Sequence, residues 1–170
     1  MVTKPEDIKV DFSNSFSHEE CQELCQLPLV VAAMVSAVDY STLSENKEFV
    51  AFADFLRKAG SKRNTSPFVS AIIEATASSD LKVFQDHCTA VATAMSGEKP
   101  VERALLQAKS VARLIDAKCD KRTAKSYKAF ILGVALAVAR AHKESVLPFA
   151  SPISTVEDFH IRRLEAALGV

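Results

Sequence analysis

From Ala129 to Ala141 the chain reads AFILGVALAVARA, a run whose one polar residue is Arg140. The flanks are polar: Asp120 through Lys128 before it, and His142, Lys143 and Glu144 after it. A helix over Asp120 to Glu144 spans about 37 Å at about 1.5 Å per residue. Phe130, Val134, Ala137 and Ala141 fall on one side and Ile131, Ala135 and Val138 on the next, so its middle has no polar face. Such a helix has to be enclosed by other helices or by lipid. The run falls short of the ~20 apolar residues that a bilayer requires. The pattern therefore predicts a central helix with neighbours on every side, brought close by alanines and Gly133.

The remaining periodicities predict more helices. Ser17-His-Glu-Glu20 is a capping box opening a short helix to Gln26. Pro28 lacks an N–H, so a new or kinked helix is expected there, carrying the apolar run LPLVVAAMVSAV. Residues 45–59 place Phe49, Phe52, Ala53 and Leu56 on one face, and Gly60 reads as the stop after them. Ser66-Pro67 opens a helix to about Ala77, and another is expected over Leu81–Met95, ended by Gly97. Pro100 begins the next, with Val101, Leu105, Ala108, Ala112 and Ile115 inward. Asp120 caps the central helix. Ser154-Thr-Val-Glu157 is a second capping box, before a final helix that docks Phe159, Ile161, Leu164 and Leu168. The expectation is an all-α, single-domain bundle of seven or eight helices around 120–144, with residues 1–16 as an N-terminal tail and 17–170 as the domain.

Composition sharpens this picture. A 170-residue chain with 48% hydrophobic residues supports one sizeable core. Its formal net charge of zero argues against a dedicated nucleic-acid binder, which carries a basic surplus. MVTKPEDIKVDFSNSF has no apolar signal region, and no transmembrane segment is expected. Cys21, Cys25, Cys88 and Cys119 lack zinc-ligand spacing and read as reduced thiols of a cytoplasmic protein.

Candidate chemistry is sparse. Asp39 ends an apolar helix, with Glu45 and Glu48 opening the next; carboxylates at such a junction suit a hard divalent cation, and equally serve as caps. Glu157-x-x-His160 is half of a di-iron signature, and its Glu already has a capping role. His87 and Cys88 are adjacent, so a helix points them apart. Lys118, Lys121, Arg122, Lys125 and Lys128 form a basic stripe. A weak internal echo relates Val38-Asp39 and its following helix to Ile115-Asp116 and the central helix.

EECQELCQLPLVVAAMVSAVDYSTLSENKEF, VALAVARAHKE and ISTVEDFHIRRLEAALGV resemble a set of uncharacterised bacterial all-α proteins and, more distantly, the TerB-like tellurite-resistance domain. The resemblance implies a helical bundle of two similar halves with an acidic metal site. On this chain its positions are Asp39 and Glu48 in the first half and Asp116 in the second, with Glu144 matching the Ala-Lys-Glu ending of the uncharacterised set. Tyr40 stands where that domain carries Gly. Three functions follow as expectations. The first is a non-enzymatic, stress-associated interaction protein with a protein partner or a second copy of itself. The second is a divalent-cation domain on the acidic cluster. The third is a small-molecule or catalytic bundle.

Overall fold

The computed structural model describes residues 15–38, 45–63, 65–77, 99–141 and 153–170. They form six helices and no strand: α1 His18–Val38, α2 Glu45–Gly60, α3 Pro67–Ala77, α4 Lys99–Lys118, α5 Lys121–Ala141 and α6 Thr155–Leu168. The all-α class is as expected. The helix expected over 81–95 and most of the tail lie outside the described residues.

Helix starts follow local chemistry. Ser17 Oγ accepts from Glu20 N while Ser17 N donates to the Glu20 carboxylate at 2.7 Å. Ser154 and Glu157 repeat the arrangement at α6. Ser66 Oγ accepts from Val69 N ahead of α3, with Pro67 where no N–H is needed. Asp120 Oδ1 accepts from Arg122 N and Thr123 N and starts α5. On α4 the five positions expected inward, from Val101 to Ile115, are all buried.

The centre holds two helices rather than one. α1 and α5 each pack against every other described helix. α1 is the more enclosed, with Val31 through Ala37 buried without a break. Around α5 the enclosure is incomplete: Ala129 and Arg140 are exposed, and Leu132, Gly133, Leu136 and Ala137 are half-buried along the same strip.

Pro28 corrects a second expectation. α1 is one helix from His18 to Val38, with Pro28 buried inside it. A proline leaves the carbonyl four residues earlier without its helical donor. That carbonyl is Leu24, and the fully buried Tyr127 hydroxyl of α5 donates to it at 2.8 Å. Thr76 of α3 lies 3.3 Å from the next carbonyl, Cys25, while also donating to Ile72 at 2.7 Å. Neighbouring helices supply what the proline removes, so no break is needed.

Gly60 ends α2 without a left-handed turn; among the described residues only Gly169, closing α6, has positive φ. A Cβ at Gly60 would meet Ile73 at 3.4 Å, an ordinary contact, so the packing of α3 does not itself require glycine there. The end carbonyls of α2 are taken by side chains, Thr65 on Ala59 and Ser61 on Lys58. On α6, Ile161, Leu164 and Leu168 dock as expected, whereas Phe159 faces outward at 57% exposure. The helical period puts Glu157, Ile161, Leu164 and Leu168 on one side and Phe159 across from them.

Candidate functional site

An open groove of about 710 Å³ lies between α2 and α5. Its α2 wall is Lys47, Val50, Ala51, Asp54, Phe55 and Lys58; its α5 wall is Ala137, Arg140 and Ala141. The α2 spacing follows one helical face over three turns. On α5, small residues recur every four positions at Gly133, Ala137 and Ala141. They keep that wall low.

Phe55 lies in the floor toward the Lys58 end. Its ring rests on Gly133, where a Cβ would overlap it, and stacks on Phe130 at 5.9 Å between centroids. The contact continues inward through Phe130–Tyr127 at 6.4 Å, Tyr127–Phe68 at 5.9 Å and Phe68–Phe16 at 5.8 Å. The groove is thus anchored on packed aromatic core. At its rim Val50 is 58% exposed. The charges are lopsided: Lys47, Lys58 and Arg140 face one carboxylate, Asp54, which pairs with Arg57 at 3.2 Å. Among the described residues no ion pair is formed by the three groove cations.

The acidic positions suggested by the resemblance do not come together among the described residues. Asp39 and Glu144 lie outside them. Glu48 is buried at the start of α2 and accepts from Ser36 Oγ. Asp116 is held by the buried Lys128 ammonium at 2.7 Å. Lys128 adjoins Tyr127, which bonds Leu24, and Leu24 and Ser36 are separated by about 18 Å of helix at about 1.5 Å per residue. Asp116 and Glu48 therefore belong to opposite ends of α1. Among the described residues no group of three or more His, Cys, Asp or Glu could hold a metal ion.

Other candidates are accounted for singly. Cys21, Cys25 and Cys119 are free thiols. Burial is the main cause raising the pKa of each, with Cys25 pushed up to about 11, which keeps them protonated and poorly nucleophilic. The basic stripe is divided: Lys118 pairs with Glu20 at 2.6 Å, Lys128 with Asp116, and Lys121, Arg122 and Lys125 face solvent. Glu157 is committed to its cap, and Nδ1 of His160 is buried with no hydrogen-bond partner among the described residues. His87 and Cys88 lie outside the described residues.

The groove residues were missed in the sequence, where Lys47 and Lys58 belong to no motif and Arg140 stands out only as the one polar residue of the apolar run. A signal was present in the repeat 47, 50, 51, 54, 58 and in the small-residue spacing 133, 137, 141. Only the pairing of α2 with α5 turns those signals into one surface. α1 is long and apolar enough to cross a membrane, and 61% of its most apolar window is buried inside the bundle. No family model matches the chain, and no characterised protein or solved structure matches it either.

Proposed function

We propose that this chain is a non-enzymatic helical binding protein whose groove between α2 and α5 receives a partner. The supporting observation is the groove itself, a preformed apolar floor edged by cations that form no ion pair among the described residues. Ligand sites are characteristically concave and apolar with a few polar groups placed at the edge. Raised thiol pKa values and scattered acids leave no described cluster suited to general acid–base or nucleophilic work. TerB-like kinship, a bacterial cytoplasmic setting and a stress-associated role belong to the same proposal and rest on the sequence resemblance. We read α1 as a core helix rather than a span, because its apolar residues already pack against five neighbours.

Ala137→Tyr tests the reading. It fills the groove from a half-buried helical position and leaves the core contacts in place. Helical peptides selected by display on the wild-type protein are expected to lose binding to the folded variant by at least about tenfold. Equal enrichment on both proteins removes the groove as the binding surface.

A further inference from the structure

The groove has a length, a direction and a charge pattern, and together they restrict what fits. Phe55 meets Gly133, while Lys47 and Ala141 share the same groove. Moving up α5 therefore means moving down α2: the helices run antiparallel. Lys47 and Lys58 are separated by three turns, about 16 Å along the axis. Arg140 lies two turns beyond Gly133, about 10 Å, toward the Lys47 end. Positive charge thus sits at both ends of a largely apolar trough, with Val50, Ala51, Phe55 and Ala137 between and the one wall carboxylate, Asp54, paired with Arg57.

We propose that the occupant is an acidic amphipathic helix of a protein partner, about three turns long, with carboxylates at both ends of its apolar stripe. This rests on the reading of the groove as a binding surface and adds the chemistry of what binds. A helix laid along the trough presents apolar residues at i, i+3, i+4 and i+7 to the floor, the recurring mode for helix recognition. Its terminal carboxylates then reach Lys47 and Arg140 at one end and Lys58 at the other. A single-headed amphiphile satisfies one end alone. A phosphodiester strand needs closely spaced cations and has no use for an apolar floor. Like charge on a partner is repelled at both ends, which gives the site selectivity as well as attraction.

The test uses the full chain and three fluorescent 14-residue helical peptides sharing one apolar stripe, flanked by Glu, Gln or Lys. The Glu peptide is expected to bind at least about tenfold tighter than the Lys peptide, with the gap narrowing from 50 to about 500 mM NaCl as screening grows. In the Lys58→Glu, Arg140→Glu double variant, both sites being exposed, the preference is expected to reverse. Gln or Lys peptides binding as tightly as Glu overturn the acidic class while the groove stands. If none binds, or all bind Ala137→Tyr equally well, the groove reading falls too. Binding to phosphatidylglycerol vesicles that the double variant loses, without peptide binding, overturns the proposal in favour of a lipid surface. Self-association abolished by Val50→Glu, again without peptide binding, overturns it in favour of a second copy.

Discussion

Tyr127 and Pro28 work as a pair although they are distant in sequence. The proline withdraws a donor from the Leu24 carbonyl and the tyrosine returns one from another helix. A buried carbonyl left without a partner costs about 1–3 kcal/mol. Tyr127→Phe is accordingly expected to lower unfolding stability by that amount in urea titrations. In a Pro28→Ala background the backbone N–H is restored and can bond Leu24 itself. There the same tyrosine substitution is expected to cost less, with a coupling of about 1 kcal/mol. Strict additivity of the two changes would falsify the pairing.

Gly133 shows how one position serves two elements. In the interior of α5, Gly→Ala is favourable by about 1 kcal/mol in helix propensity alone. Here the added methyl meets the half-buried Phe55 ring, which has to swing toward the groove. The opposing effects are expected to leave the melting temperature of Gly133→Ala within a few degrees of wild type, while binding of the acidic peptide drops severalfold. A normal affinity would show that the ring turns away from the trough. At this scale much was legible in the sequence: both capping boxes, the Asp120 cap, the span of α3 and the inward face of α4 are local patterns. Pro28 reads locally as the start of a new or kinked helix because its replacement donor is 99 residues away and only tertiary packing brings the two together. Phe159, expected inward, is put outward by the local helical register alone. Of the site, the small residues of α5 were visible as allowing close approach. That Phe55 of α2 would meet them at Gly133 is fixed by the pairing with α2, and no local pattern records it.

Across the whole molecule, zero net charge conceals unequal local distribution. The α2–α5 face collects cations, while α4 and α6 are tied by an Arg163–Glu102 pair beside His160. Burial, and then the charge of Arg163, hold the His160 pKa below its ordinary 6.5, with Glu102 opposing them. The folded state therefore favours the neutral ring. Its contribution to stability is full above pH 6.5 and declines as pH falls through the lower folded pKa. Melts between pH 8 and about pH 5 are expected to show that decline, and His160→Gln to flatten it. An unchanged slope in the variant would place the proton uptake elsewhere. The bundle as a whole is built on two central helices, α1 and α5, stitched at one buried hydroxyl. The chain has no tryptophan and two tyrosines, and one of these is Tyr127. Once Tyr40 is replaced by phenylalanine, near-ultraviolet tyrosine dichroism and phenol emission carry an intrinsic optical readout of the proline junction, and unfolding experiments on this protein can follow its centre without any attached dye.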